Sequence, residues 1–157
     1  MHSNTIKDVL KTQGGRPVIS AAPDAMVFDA VRLMVEKNIG SLLIIEDGNI
    51  CGIMSERDYL RLVTTEGRTA HDTPVHELMT RQVVYVTPET KLPEVMAIMT
   101  EKRIRHVPVM VGDELMGIVS IGDVVKQIGQ NQTAQIRVLE EYISDDYPGP
   151  APDSHAR

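Results

Sequence analysis

Apolar residues recur along the chain with two different spacings, which predict a mixture of short helices and strands. Apolar positions three or four residues apart indicate amphipathic helices, and short apolar runs bounded by glycine, proline or aspartate indicate strands. Asp47-Gly48 or Gly48-Asn49 favours a tight turn between two such runs. The first half is predicted to contain, in chain order, a helix over 4–10, a strand over 18–20, a helix over 25–38, strands over 41–46 and 50–54, and a helix over 58–64.

The second half of the chain repeats the first with an offset of 65 residues. Between residues 18 and 60 the alignment needs no gap, and 10 of its 43 positions are identical. Unrelated segments of that length share about three residues at average residue usage. The segment 6–10 that leads into the first repeat is echoed by residues 75–79, although with a different spacing. The pattern therefore indicates an internal duplication.

The duplication predicts the fold class and the domain organisation. Each copy reads strand, helix, strand, strand, helix, so we expect an α+β protein with two tandem β-α-β-β-α units. A unit of about 60 residues buries little surface alone, so the two should form one compact module with a pseudo-twofold axis and two related clefts. The predicted segments are a helical lead-in at 1–17, a first repeat at 18–64, a connection and second lead-in at 65–82, a second repeat at 83–128, a C-terminal helix at 129–144 and a disordered tail at 145–157.

Composition narrows the possible functions without identifying one. The chain has 157 residues, a net charge of −6, no Trp and one Phe, which disfavours a base-stacking surface for nucleic acid. The lone Cys51 excludes an internal disulfide, and the five His lack the spacing of metal ligands. No apolar run is long enough to span a membrane and the first residues do not resemble a signal peptide, so the cytoplasm is the expected location.

One short motif occurs at the same place in both repeats, at Gly52–Asp58 and at Gly117–Asp123. In each copy an apolar run ends in Ser, and Asp follows three residues later. Ser-x-x-Asp is an ordinary helix start, because Ser caps free backbone N–H groups and the acid is favoured by the helix dipole. The same carboxylate can also accept hydrogen bonds from both hydroxyls of a ribose. From the residues alone, capping and ligand binding both remain open.

The paired repeats resemble the CBS domain, named after cystathionine beta-synthase, and together they resemble a Bateman module. The resemblance covers residues 4–128 and is carried by Val83–Pro88, by Arg105–Val109 and by the two Gly-apolar-apolar-Ser-x-x-Asp motifs. It implies clefts that bind an adenine nucleotide or related ligand such as AMP, ADP, ATP, NAD or S-adenosylmethionine. It also implies a disc-like homodimer, in which the apolar faces of residues 27–35 and 92–99 and the C-terminal helix are the expected contacts.

In Bateman modules each site combines the ribose motif of one repeat with adenine-contacting segments of the other. Carried over by position, this implies a main cleft formed by Ser55, Arg57, Asp58, Thr87, Leu92, Ile104, Arg105 and His106. It implies a second cleft formed by Ala22, Val27, Ile39, Gly40, Ser41, Ile118, Ser120 and Asp123. Because Arg57, Arg105 and His106 surround only the first motif, the cleft at Asp58 is expected to be the better site for a phosphorylated adenosine.

The chain contains no recognisable catalytic constellation, such as a nucleophile with a paired base or a Gly-rich phosphate loop. The sequence therefore favours a non-catalytic sensor that binds an adenine nucleotide and signals to a regulated protein through a conformational or dimer change. The alternative is a constitutive protein–protein interaction module whose clefts are structural or empty. An enzyme acting on nucleotides is disfavoured, and neither a metal nor a catalytic cofactor is expected.

Overall fold

Helices and short strands alternate along residues 4–131, the part of the chain that the computed structural model describes, apart from the side chain of Glu66. The elements are α1 (Ile6–Gln13), β1 (Ser20–Ala21), α2 (Val27–Lys37), β2 (Ser41–Glu46), β3 (Asn49–Ser55), α3 (Glu56–Arg61), a π-helical turn (Leu62–Glu66), α4 (Val75–Leu78), α5 (Leu92–Lys102), β4 (His106–Val111), β5 (Glu114–Ser120) and α6 (121–131). The predicted C-terminal helix beyond residue 131 and the predicted tail lie outside the described residues. None of the described helices has the length and apolar content needed to cross a membrane.

The two repeats contain the same β-hairpin, residue for residue. In the first hairpin β2 pairs antiparallel with β3 and places Ser41 opposite Ser55. In the second, β4 pairs antiparallel with β5 and places His106 opposite Ser120. Every pair of the second hairpin is displaced by 65 residues from its counterpart, and both ladders have an irregularity at the corresponding place. The predicted duplication is therefore visible in the backbone pairing itself.

The first strand of each repeat differs between the two copies. β1 pairs in parallel with β2, whereas the strand predicted at the start of the second repeat is reduced to one bridge between Val86 and Val109. There Val86 donates to the Pro108 carbonyl at 3.0 Å, and Met110 donates to the Val86 carbonyl at 2.8 Å. Because Pro108 has no N–H, the ladder cannot extend toward residue 84. The prediction of a strand was wrong here for this local reason.

Helix boundaries differ from the predicted ones by a few residues, and capping side chains set the starts of α1 and α3. α1 begins after a capping box formed by Thr5 and Asp8, and it continues to Gln13 rather than ending at residue 10. α3 begins at Glu56 rather than at residue 58, because Ser55 caps it. The apolar spacing on which the predictions rest marks the buried face of a helix, and polar caps determine where it starts.

Two hydrophobic cores lie within the module, and each contains a helix from the lead-in of the other repeat. α4, which precedes the second repeat, packs into the first core, and α1, which precedes the first repeat, packs into the second core. The first core consists of Val27, Ala30, Met34, Leu42, Ile44, Met54, Leu62, Val75 and Met79. The second core consists of Ile6, Val9, Val86, Leu92, Val95, Met99, Val107, Val109, Val119 and Val124.

Backbone hydrogen bonds hold each lead-in helix in the core of the opposite repeat. Ile6 donates to the Thr90 carbonyl at 2.9 Å, just before α5 begins. Val75 donates to the Ala25 carbonyl at 2.8 Å, just before α2 begins. The first N–H groups of a helix have no hydrogen-bond partner inside the helix. These bonds give partners to N–H groups that would otherwise be buried without one. The exchange of helices therefore ties the two repeats into one module.

Candidate functional site

A cavity of about 360 Å³ opens beside the start of α3, between residues of the two repeats. Small-molecule sites typically have volumes of roughly 300–1,000 Å³, so it is large enough for a ligand. Its walls come from the end of β3 and the first turn of α3, from the connection before the second repeat, and from the segment between α5 and β4. Six of the residues predicted for the main cleft line it, namely Ser55, Arg57, Asp58, Ile104, Arg105 and His106.

The carboxylate of Asp58 is held in place by the cap of α3. Ser55 donates to Asp58 Oδ2 from its backbone N–H at 2.8 Å and from its hydroxyl at 3.1 Å. Asp58 is only 6% exposed, and its other oxygen, Oδ1, lies 3.9 Å from Arg61. The capping role predicted from the sequence is thus confirmed. Because the cap uses Oδ2, Oδ1 keeps lone pairs that can accept from a ligand hydroxyl.

Three exposed arginines give the cavity a positively charged wall. Arg57 lies on α3, Arg103 follows α5, and Arg105 precedes β4. Arg57 Nη1 lies 3.5 Å from the Arg103 carbonyl, and none of the three forms an ion pair within residues 4–131. Guanidinium groups without a carboxylate partner favour phosphate or another anion. Arg103 was not among the predicted site residues.

His106 and Glu56 meet beside Gly40 in the cavity wall. A Cβ atom added to Gly40 would lie 3.0 Å from Glu56 Oε1 and 3.2 Å from His106 Cε1. Burial lowers the pKa of His106 below its ordinary 6.5 and Arg105 lowers it further, while the carboxylates of Glu56 and Asp123 raise it without offsetting the burial. The imidazole is therefore neutral at pH 7, and it can gain a proton when an anion binds beside it.

The hydroxyl of Ser41 is buried in the same wall without a partner. Ser41 is 5% exposed, and no group in the described chain hydrogen-bonds to its Oγ. An unpaired buried hydroxyl is unfavourable by about 1–3 kcal/mol, so a ligand group that bonds to it gains that amount. Gly40 and Ser41 were predicted to line the second cleft, but the structure places both at the cavity of Asp58.

Two residues predicted for the main cleft lie elsewhere. Leu92 is fully buried in the second core. Thr87 is exposed, and its backbone N–H donates to the Thr90 hydroxyl at 3.1 Å. The cavity is lined instead by Thr80 and Gln82 of the connection and by Val83 and Val84 at the start of the second repeat.

The connection reaches the cavity because it pairs with β3 next to the motif. Thr80 and Ile53 exchange backbone hydrogen bonds of 2.9 and 3.0 Å. A Cβ atom on Gly52 would lie 2.8 Å from the Thr80 carbonyl oxygen, so only glycine allows this approach. A glycine inside a predicted strand often indicates that another backbone segment approaches closely. Gly52 is therefore the sequence signal that could have predicted the contact with the connection.

The second motif forms the same cap, but its carboxylate also accepts hydrogen bonds from two further side chains of the chain itself. Asp123 Oδ2 accepts from the Ser120 N–H at 2.9 Å, from Gln13 Nε2 at 3.2 Å and from Arg16 Nη2 at 3.2 Å. Burial raises the pKa of Asp123, but the hydrogen bonds from the Ser120 N–H and hydroxyl and the charge of Arg16 outweigh it, so the pKa lies below its usual value. Asp123 is therefore ionised at neutral pH and already has partners.

The other residues predicted for the second cleft do not gather around Asp123. Val27 is fully buried in the first core, and Ile39 packs against that core. Ala22 borders a separate groove on the far side of the first hairpin. Ile118 stays beside the motif, where its carbonyl accepts a hydrogen bond from α1 at 3.2 Å. The predicted second cleft is thus dispersed, while its Ser-x-x-Asp motif is intact.

The sequence pattern of the CBS domain matches residues 5–65 and again residues 75–130 of this chain. The chain belongs to the CBS-domain family. A curated relative of this CBS pair is the CBS domain-containing protein CBSX3, mitochondrial, of Arabidopsis thaliana. It is 39% identical over 153 residues, which cover 92% of this chain and 74% of that protein.

Solved structures of other CBS proteins share the fold. A protein with CBS domains from Burkholderia ambifaria has 44% sequence identity and a TM-score of 0.76, over 79% of this chain and 93% of its own. The CBS domain pair of protein MJ0100 was solved in complex with 5-methylthioadenosine and S-adenosyl-L-methionine. It has a TM-score of 0.70 at 24% identity, over 83% and 99% of the two chains. The predicted α+β fold class is confirmed as that of a CBS pair.

The groups that line the cavity of this CBS pair are suited to binding. Within residues 4–131 no three His, Cys, Asp or Glu side chains are placed to hold a metal ion. Cys51 lies outside the cavity, half-buried, with its thiol 3.7 Å from the Asn49 carbonyl. Carboxylate, guanidinium and apolar groups of this kind can hold a ligand and orient it.

Proposed function

We propose that this CBS pair is a non-catalytic regulatory protein, which binds an adenosine-containing ligand in the cavity beside Asp58 and signals that binding to another protein. One observation carries the proposal. The cavity brings together, between the two repeats, a capped carboxylate, an imidazole and three arginines that have no ion-pair partner in the described part of the chain. These groups match the two polar parts of a nucleotide, which are the ribose diol and the phosphate.

Each part of the ligand has candidate partners in the lining. The Asp58 carboxylate and the Ser55 hydroxyl would hold the ribose, because an acid can accept from both hydroxyls of a diol. Adenine would lie among apolar side chains and bond to nearby backbone. The candidates for this contact are Ile53, Val83, Val84 and Ile104. The candidates for the phosphate are Arg57, Arg103, Arg105 and His106.

The adenosine class also has support from a relative of the same fold. Protein MJ0100, a CBS domain pair, was solved with 5-methylthioadenosine and S-adenosyl-L-methionine bound. The positive wall of this cavity favours the phosphorylated members of the class, which are AMP, ADP, ATP and NAD. A ligand shifts a conformational equilibrium only by its differential affinity for the two states, so ligands with different phosphate chains should differ in effect.

Thermal unfolding with AMP, ADP, ATP, NAD and S-adenosylmethionine tests this function. A ligand that binds the folded state stabilises it by about 2.7 kcal/mol at one hundred times its Kd, which raises the Tm by several degrees. Asp58→Asn, which preserves the size of the side chain, should abolish the shift. Asp8→Asn makes the same change at the cap of α1 and should leave the shift intact.

A constitutive interaction module is the second candidate, and exposed apolar residues favour it. Val35 is 75% exposed, Tyr85 62% and Val125 51%. On α2, which belongs to the face predicted for dimer contacts, Val27 and Met34 are buried in the protein's own core, and Val35 is left for a partner. If none of the five ligands raises the Tm at millimolar concentration, ligand binding is ruled out as the function of this cavity and this second candidate stands.

A further inference from the structure

The two copies of the motif differ in what covers the carboxylate. Asp58 borders the open cavity, and its Oδ1 has Arg61 at 3.9 Å. Asp123 is instead contacted by Gln13 Nε2 and Arg16 Nη2, each 3.2 Å from Oδ2. The difference does not lie in the motif itself, because Ser120 caps α6 in the same way that Ser55 caps α3.

Gln13 and Arg16 reach Asp123 because the first lead-in is longer than the second. The offset between the repeats is 69 from Ile6 to Val75 but 65 from Arg16 to Arg81, so the first lead-in is four residues longer. The addition lengthens the helix, since α1 has 8 residues where α4 has 4. The added turn of α1 carries Gln13 toward the second motif, where its amide also donates to the Ile118 carbonyl.

A glycine pair then directs the chain back to the motif. Gly14 and Gly15 have φ values of 65° and 76°, a left-handed backbone that glycine adopts without strain. Arg16 follows directly and reaches Asp123. Its counterpart in the second lead-in, Arg81, donates to the His76 carbonyl at 3.2 Å and leaves the first motif open.

We propose that Gln13 and Arg16 close the second motif, so that each chain binds one adenosine-containing ligand, at Asp58 and not at Asp123. A ribose approaching Asp123 meets an amide and a guanidinium that already donate to Oδ2, so its hydroxyls must compete with both for that oxygen. The two side chains therefore select which cleft binds, and this inference rests on the proposed function.

The stoichiometry of AMP binding by isothermal titration calorimetry tests this selection. The wild-type chain should bind one AMP, and Asp58→Asn should abolish binding while Asp123→Asn leaves it unchanged. The double variant Gln13→Ala with Arg16→Ala should gain a second binding event, and Asp123→Asn in that background should remove it. Arg81→Ala is the matched control, which should keep one site of wild-type affinity.

Removing two donors from Asp123 should raise AMP affinity at the second motif by about tenfold to a hundredfold, which brings it into the measurable range. Two sites in the wild-type chain, or a loss of the single site in Asp123→Asn, would overturn the selection and leave the proposed function standing. A double variant that still binds only one AMP would show that these side chains are not what closes the motif. Absence of AMP binding to the wild-type chain would overturn the selection as stated for AMP, and absence of binding by all five ligands of the thermal test would overturn the proposed function itself.

Discussion

At the scale of single residues, Asp58 can combine its capping role with the proposed binding role because its two oxygen atoms have different partners. Oδ2 accepts from Ser55 and fixes the start of α3, and Oδ1 faces Arg61 and the cavity. Its counterpart Asp123 has the same cap, but its Oδ2 also accepts hydrogen bonds from Gln13 and Arg16. Identical motif residues therefore have different surroundings, and the proposed difference in their ligand binding rests on those surroundings.

Gly40→Ala should weaken AMP binding without a large loss of stability. The added methyl would lie 3.0 Å from Glu56 Oε1 and 3.2 Å from His106 Cε1, so both side chains must move into the cavity. We expect a loss of affinity of about tenfold, measured by calorimetry, and a change of under about 1 kcal/mol in the free energy of unfolding. Gly122→Ala is the control, because its Cβ would meet only Ser120 Oγ at 3.6 Å. Equal AMP affinity in both variants would contradict a role for Gly40 in shaping the site.

Binding of AMP should take up protons as the pH falls toward 6. Burial lowers the pKa of His106 in the free protein, and a phosphate beside it would raise that pKa again, so affinity should increase by up to about tenfold between pH 7.5 and 6.0. Calorimetry in two buffers of different ionisation enthalpy measures the uptake. His106→Asn should reduce it, whereas the protonation of AMP itself persists in both proteins.

The same residue links protein stability to pH in the absence of ligand. Its folded pKa is depressed below the ordinary 6.5, so the unfolded chain binds more protons between the two values. The contribution of His106 to stability is therefore present above about pH 6.5 and is lost as the pH falls through the folded pKa. Urea unfolding of the free protein should show this loss, and His106→Asn should not. An identical pH profile for the variant would contradict the burial effect.

At the scale of elements, the glycine of each motif determines how closely its strand meets a neighbour. Gly52 on β3 lies against the connection, where a Cβ atom would be 2.7 Å from Met79 Sδ and 2.8 Å from the Thr80 carbonyl oxygen. The equivalent Gly117 on β5 lies against α1, where a Cβ atom would be 3.2 Å from Leu10 Cδ2. The first contact involves rigid backbone and the second the end of a flexible side chain.

Gly52→Ala should therefore destabilise the protein more than Gly117→Ala. We expect a loss of about 1–3 kcal/mol for Gly52→Ala, since overpacking against backbone forces a shift of the connection, and less than about 1 kcal/mol for Gly117→Ala. Urea unfolding of the two variants measures both. Because the displaced connection lines the cavity, Gly52→Ala should also weaken AMP binding. Equal losses of stability in the two variants would contradict the close approach to Thr80.

The hairpins and most helices could be predicted from the sequence because their apolar spacing is local and occurs twice. The strand predicted at the start of the second repeat is a single bridge between Val86 and Val109. Pro108 has no N–H to donate, so the pairing does not continue. Six of the 17 residues that line the candidate site were predicted for this cleft, through its motif and the segment Ile104-Arg105-His106. The sequence did not predict that Thr80 and its neighbours line the cavity. The connection has no apolar periodicity, so its sequence does not indicate that it pairs with β3.

At the scale of the whole molecule, self-association through α2 is an expectation that one substitution tests. Val35 on α2 is 75% exposed, so Val35→Glu should place a charge in any apolar interface formed by this helix. We expect the wild-type chain to sediment as a dimer and the variant as a monomer at micromolar concentration. Val111→Glu, at an exposed site on β4, is the control and should remain dimeric. A dimeric Val35→Glu would exclude α2 from the interface.

Because the lead-in helices are exchanged between the repeats, the two cores can form at different stages of synthesis. The first core is built from residues between Val27 and Met79, a continuous stretch, so it can form while the second repeat is still being translated. The second core needs Ile6 and Val9 together with residues up to Val124, and its closure joins the two ends of the described chain. Of the helices in the described chain, α1 is thus synthesised first, but its core can be completed only after residues up to Val124 have been synthesised.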